Sequence, residues 1–470
     1  MLSSLLPFVL AQGIAIPVIP PPPSPSIPTE PIAPQSPQEL VVPQRVRPLT
    51  GKLDNTPVLN SNNPELIFNE GIIISTLPSI GMGSPYAHLN YAFRGRFDVF
   101  AHHVVQASPE GRTLYLGILL FNDSRQPAKV NVLQAASSLT SPDALFIELP
   151  PQVENPDGQF FSGPGSRVMD RVLRGQRQAL YPAELIIPPG QAQMLVNNPL
   201  PVNYRPDPTQ PPPLKLPRNG FSAYFRLQTD TPIYGASLAM YAPKDAQGNE
   251  RPPTLAEWQQ LLKTANLMTP RDRIPRNSQR RIYSRVAGVS LGSTWIATLT
   301  DNDTREQLNI PQSGQAFSYA ISTIEGGLMG TNQKQAAKMA VRYPDTAYES
   351  HGNYGVHYSL TLPLHNPTSQ PQQVSLAIET PLKFNEGRDT LTFLVPPAPN
   401  VFFRGTVQFR YNNDQGTAQN RYFHLVQKRG QRGDDLVTLT LKPAEKRTVQ
   451  VDLLYPPDAT PPQLLTVRTR

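Results

Sequence analysis

The chain reads as mainly β: two related β-sandwich domains joined by a short helical connector, behind a disordered proline-rich N-terminal segment. Three observations predict this. A stretch beginning Phe121-Asn122-Asp123-Ser124-Arg125-Gln126-Pro127 returns 244 positions later as His365-Asn366-Pro367-Thr368-Ser369-Gln370-Pro371. In both places an apolar run (Leu116, Ile118, Leu120; Leu360, Leu362, Leu364) enters a turn and an alternating run (Val130, Val132; Val374, Leu376) leaves it, which predicts a hairpin in each half. Second, Leu185-Ile186-Ile187-Pro188-Pro189-Gly190 is echoed by Leu439-Thr440-Leu441-Lys442-Pro443-Ala444 at an offset of 254. Third, the chain holds 55 prolines and only 16% charged residues, a composition poor for long helices, since proline lacks the N–H a helix interior needs.

From the N-terminus, residues 1–11 form an apolar stretch closing in Val9-Leu10-Ala11 before Gln12, the pattern of an export signal. Residues 12–48 carry four consecutive prolines, Pro20 to Pro23, and read as a polyproline-like tether. The first sandwich is expected over 49–245. Its strongest strand signal is Gly71-Ile72-Ile73-Ile74-Ser75-Thr76-Leu77, apolar on both faces and bounded by Gly71 and Pro78. A short helix is expected at Ser166–Leu173 after Gly163-Pro164-Gly165, with Arg167, Arg171 and Arg174 on one face.

A connector over 246–286 follows. Thr254 and Glu257 form a capping box, and Leu255, Trp258, Leu261, Leu262 and Ala265 make an apolar stripe at helical spacing. The arginines at 271, 273, 276, 280, 281 and 285 then read as a solvated linker, because a nucleic-acid surface would interleave aromatics and only Tyr283 is near. The second sandwich, 287–470, repeats the strand grammar with short alternating runs between turn residues.

Composition narrows the functional classes. Cysteine is absent, so disulfides, thiol nucleophiles and cysteine-bound zinc are excluded. The formal charge of +7 is modest for 470 residues and does not imply nucleic acid. Beyond the N-terminal stretch, no segment approaches the ~20 apolar residues of a membrane span.

The words Pro57-Val58-Leu59-Asn60-Ser61-Asn62, Gly71-Ile72-Ile73-Ile74-Ser75-Thr76, Arg94-Gly95-Arg96-Phe97-Asp98-Val99-Phe100-Ala101-His102-His103 and Gly163-Pro164-Gly165-Ser166-Arg167 resemble a cyanobacterial family known as domain of unknown function family 3370. The likeness runs from about Leu49 to the C-terminus. It implies an exported location and assigns no catalytic residue.

Candidate chemistry is thin. His88, His102 and His103 lack zinc-site spacing, and neighbouring strand residues point to opposite faces, so surface or satisfied histidines are expected. Asp345, Ser350, His351 and His357 supply the types of a hydrolytic triad without a nucleophile elbow. Asp301-Asn302-Asp303-Thr304 is rich in oxygen ligands but lacks the glycine and bidentate glutamate of a calcium loop, and reads as a turn between Thr294–Thr300 and Leu308–Ile310. Tyr348 and Tyr354 could form a glycan platform. The helix start at Gly165 with Arg167, Arg171 and Arg174 is the one candidate site, for an anion. No catalytic residue, metal or cofactor is expected. The function expected is that of an exported, non-enzymatic structural or interaction protein of the bacterial periplasm or cell surface, with an envelope polysaccharide or another envelope protein as partner. The alternatives are a glycan- or anion-binding module and a hydrolase with a loop-built site.

Overall fold

The computed structural model describes residues 36–470 except 208, 212, 270, 272–284, 303 and 388. The export signal, most of the tether, Arg273, Arg276, Arg280, Arg281 and Asp303 lie outside the described residues. The fold is mainly β. Among the described residues the two α-helices are α1 (Pro164–Leu173) and α2 (Leu255–Thr264), both close to their expected bounds.

Two β-sandwiches are built. In the first, one sheet runs in the order Glu184–Ile187, Ala128–Leu139, Arg218–Tyr241, Phe93–Gln106, Pro57–Ser61, Ala287–Leu291, Ala337–Arg342, Glu349–Ser350. The facing sheet holds Ala192–Leu200, Leu114–Phe121 and Gly71–Ser75. Arg218–Tyr241 belongs to both: its first part pairs with Phe93–Gln106, and from Tyr234 it pairs with Leu114–Phe121. In the second sandwich, Thr294–Thr298, His357–His365, Lys446–Leu454, Val401–Asn412, Ala418–Lys428 and Gln152–Glu154 face Arg45–Arg47, Ala316–Ile321, Gln463–Thr469, Gln372–Glu379 and Val437–Leu441. Each pair of sheets closes on its own apolar core, centred on residues such as Val99, Ile118 and Phe225 in the first and Val407, Leu376 and Val467 in the second.

The expected hairpins are not hairpins. Leu114–Phe121 and Ala128–Leu139 lie in opposite sheets, and so do His357–His365 and Gln372–Glu379. Each Asn turn is a corner that carries the chain across the sandwich. The reason is local: the Asn side chain, rather than a backbone ladder, closes the turn. Asn122 Nδ2 donates to Gln126 O (2.7 Å) and Ile187 O (2.8 Å), and its Oδ1 accepts from Ser124 N (2.9 Å). Asn366 Nδ2 donates to Gln370 O (2.8 Å) and Leu441 O (2.9 Å), and its Oδ1 accepts from Thr368 N (3.0 Å). The second echo takes up the same register on both corners. Ile187 faces Ala128 as Leu441 faces Gln372, and Ala192 faces Phe121 as Lys446 faces His365.

Segment boundaries differ from those expected. Residues 38–47, assigned to the tether, form the strands Gln38–Pro43 and Arg45–Arg47, which pair with Thr390–Val395 and Ala316–Ile321. Ala287–Leu291 and Ala337–Arg342 extend the first sandwich, while Gln152–Glu154 pairs with Ala418–Lys428 of the second. Neither 49–245 nor 287–470 therefore holds a closed set of strands. Such exchange is invisible to local pattern, because an edge strand needs only an unpaired neighbour, whatever its place in the chain. Thr294–Thr298 and Leu308–Asn309 also do not pair with each other; both run parallel to His357–His365, and the turn at Asp301 is an excursion along one edge.

Candidate functional site

Helix α1 stands where the two sandwiches meet. Val168, Met169 and Val172 pack with Phe100, Ala136 and Tyr224 of the first and with Leu454 of the second. The expected anion position at its start is filled from within the chain: Ser166 N donates to Asp458 Oδ2 at 3.2 Å. A Cβ on Gly165 would lie 2.3 Å from Pro457 Cγ and 2.6 Å from that same oxygen, so the close approach requires glycine here. Asp458 is half-buried, and its enclosure pushes its carboxyl up against the opposing pull of His102, Arg404 and the Ser166 and Gly165 amides.

The three arginines do not converge on that carboxylate. Arg167 donates to Asp143 O and lies over the Phe161 ring at 4.6 Å. Arg174, at the far end of the helix, is held by Asp170 Oδ2 (2.8 Å), Asn155 O (2.5 Å) and Pro156 O (2.7 Å), with its guanidinium over Tyr422. Arg171 is half-buried between them in sequence.

The histidines are internal and partnered. His88 Nδ1 meets Ser75 Oγ at 2.8 Å, and His102 Nδ1 meets Ser222 Oγ at 2.8 Å. His103 lies between Ser61 Oγ (3.0 Å) and Pro64 O (2.9 Å), and burial drives it down to about 3. No group of three or more metal-ligating side chains occurs among the described residues. The triad types are likewise dispersed. Asp345 pairs with Arg271, Ser350 is buried in a two-residue edge strand, and His357 Nε2 meets Asp452 Oδ1 at 3.1 Å, with Arg410 on that carboxylate's other oxygen at 2.8 Å. Tyr348 is stacked under the Arg342 guanidinium, and Tyr354 donates to Ala459 O while stacking on Tyr455.

Buried carboxyls are what the sequence reading missed. Asp98 is fully buried and pushed up by burial, although Arg226 and Arg96 pull the other way. Tyr224 Oη lies 2.8 Å from both Asp98 Oδ2 and Gly355 O. A phenol has one proton, so both contacts are hydrogen bonds only when Asp98 is protonated and donates to Tyr224, which donates onward to Gly355. Asp458 had a legible trace: Pro456-Pro457-Asp458 places a carboxylate in a rigid turn with no strand or helix to serve. Asp98 had none, since it alternates like any outward strand residue.

A family model described as "Protein of unknown function (DUF3370)" matches residues 44–469. No functionally curated protein matches the chain. Among solved structures, the crystal structure of Lac15 from a marine microbial metagenome is 13% identical, with 77% of this chain and 50% of that one covered, at a TM-score of 0.09. The 11S allergen from Cocos nucifera is 8% identical over 91% of both chains, at a TM-score of 0.10. Neither likeness carries an argument, and this chain spans half the length of the Lac15 chain.

Proposed function

The chain belongs to the DUF3370 family, whose function is unknown, and from that premise we propose that it is an exported, non-enzymatic structural or interaction protein of a bacterial envelope, cyanobacterial by its resemblance. The observation that carries this reading is how the reactive side chains are used. Asp458 caps α1, Tyr224 joins Asp98 to Gly355, and His102 is held against Ser222 within the first sandwich: groups that would serve chemistry in a cleft instead hold parts of the fold to one another. The exchange of edge strands serves the same end. A body fixed in this way suits presenting surfaces to partners rather than closing around a substrate. Export is supported by the apolar start ending in Ala11, by the proline-rich stretch after it and by the absence of cysteine.

Fractionation of cells followed by N-terminal sequencing tests the location. The mature protein is expected outside the cytoplasm and beginning near Gln12; intact Met1 on cytoplasmic protein overturns it. Co-sedimentation of the purified protein with isolated envelope polysaccharide tests the role. Hydrolytic turnover of ester, glycosidic or phosphate substrates that His357→Ala abolishes would replace this reading with the hydrolase alternative.

A further inference from the structure

Between the sandwiches runs a chain of two hydrogen bonds that needs a proton on a carboxyl. Tyr224, in strand Arg218–Tyr241 of the first sandwich, is fully buried and sets its Oη 2.8 Å from Asp98 Oδ2, in its own sheet, and 2.8 Å from Gly355 O. Gly355 belongs to the stretch entering His357–His365 of the second sandwich, where its N–H donates to Tyr455 O at 2.8 Å. The approach is close: a Cβ on Gly355 would lie 2.5 Å from Tyr224 Cε2. No other donor reaches Gly355 O among the described residues.

Three observations put that proton on Asp98. The phenol has one hydrogen for two oxygens, so one of those oxygens must donate to it, and a backbone carbonyl cannot. Asp98 Oδ1 is buried without a hydrogen-bond partner among the described residues, a state far costlier for a carboxylate than for the carbonyl of a neutral acid. Arg226 faces Asp98 across the paired strands, yet no ion pair joins them, and its Nη1 donates to Gln134 Oε1 at 3.0 Å. The charged groups around Asp98 are Arg226 and Arg96 of its own sheet, both of which pull the carboxyl down, and burial outweighs them. The other paired strand brings Val58, and the second sandwich brings the neutral Ser293, whose Oγ also lacks a partner.

We propose that Asp98 is a proton-operated latch between the two sandwiches. With its proton, Asp98 donates to Tyr224, and the Tyr224 hydroxyl hydrogen points across to Gly355 O. When that proton leaves to solvent, the hydroxyl hydrogen turns back to the carboxylate, and the Gly355 carbonyl is left buried and unpaired. The latch is closed at low pH and opens as pH rises. Unfolded, the aspartate titrates near 3.8, and in the fold it titrates higher. Below 3.8 both states hold the proton and the contribution to stability is complete. Above it the unfolded chain releases its proton first, so the folded-to-unfolded ratio falls about tenfold per pH unit until Asp98 itself ionises in the fold.

Asp98→Asn tests the latch, because its amide donates to Tyr224 at every pH. Urea midpoints of the full chain and of the variant are expected to agree near pH 3.8 and to separate above it in the variant's favour, by about tenfold in the folding equilibrium per pH unit. Amide exchange of residues 353–357 is expected to quicken in the unaltered protein relative to the variant as pH rises. Infrared spectra of the unaltered protein are expected to keep a protonated-carboxyl band above the usual carboxylate range. Asp458 is also raised, so Asp458→Asn serves as the control that retains the Asp98 band. A folded Asp98→Asn whose midpoint differs from the parent's by the same amount at every pH overturns the latch, as does exchange at 353–357 that stays equal in the two proteins. If Asp98→Asn does not fold, the band decides: its absence from Asp458→Asn overturns the proposal, and its presence there upholds the proton on Asp98.

Discussion

Strands Leu114–Phe121 and His357–His365 each enter an Asn corner and pair antiparallel with the strand that follows the second echo, yet they differ on their outer face. The first presents Tyr115, Gly117, Leu119 and Phe121 outward, and the second presents Ser359, Thr361, Pro363 and His365. Burial follows: Gly117 and Leu119 are buried, whereas all five alternate positions of the second strand, from His357 to His365, stay half-exposed. The cause is α2. Trp258, 0% exposed, lies across Gly117, where a Cβ would sit 2.9 Å from the indole, and its Nε1 donates to Asn197 Oδ1 at 3.1 Å. Leu119, Trp258 and Leu262 share a small core of their own outside the sandwich. A helix laid on one sheet turns an alternating strand into a continuously apolar one. The inner faces and corners remain alike because the sandwich interior demands the same of both.

The largest effect is expected where the comparison fails. Trp258→Ala removes the cover from the first strand and is expected to cost about 3–5 kcal/mol, read as a shift in the urea midpoint. At the corresponding uncovered surface, Thr361→Ala should stay within about 0.5 kcal/mol. A small loss in the first variant would show that α2 does not stabilise that face.

Where the two regions agree, the losses should agree. Asn122→Ala removes the bonds to two carbonyls and one N–H, and Asn366→Ala those to three carbonyls and one N–H, at a buried corner, at about 3 kcal/mol apiece. Chemical denaturation of both variants checks this, and costs differing by more than about 2 kcal/mol would break the equivalence.

Acid offers one probe in each sandwich. Burial holds His103 down to about 3 and His424 down to about 4, the latter with Arg404 adding to the effect. Unfolded, both protonate near 6.5, so below that pH the unfolded chain binds more protons. Their contribution is complete above 6.5 and is lost as pH falls toward about 3 and 4, by about 1.4 kcal/mol per unit for each group. His103→Gln and His424→Gln should each flatten the acid limb of stability against pH by that slope. An unchanged limb in either variant refutes the assignment for that sandwich.

The smallest effect separates the two corners at one residue. Gly190 (φ 67°) and Ala444 (φ 56°) both donate their N–H to the corner Asn carbonyl, at 2.8 and 3.0 Å. Only the first is a glycine. Gly190→Ala should destabilise and Ala444→Gly should stabilise, each by about 1 kcal/mol or less, as thermal melts would show.

Sequence by itself determined the β class, the repeated corner with its second strand pair, and both helices with the Thr254–Glu257 capping box, whose two reciprocal bonds are present. These are short-range matters: alternation, a turn residue that bonds its own neighbours, and a cap reaching three positions on. Only the tertiary structure decided that the corners cross between sheets, that Gln38–Pro43 pairs with Thr390–Val395, that Arg45–Arg47 and Gln152–Glu154 serve the second sandwich, and that Ala287–Leu291 serves the first. It also decided the fate of the candidate site, where Asp458 comes to Ser166 from 292 positions away. Edge pairing and buried charge depend on which surfaces meet, and nothing within a few residues of Gly165 or Gln152 records that.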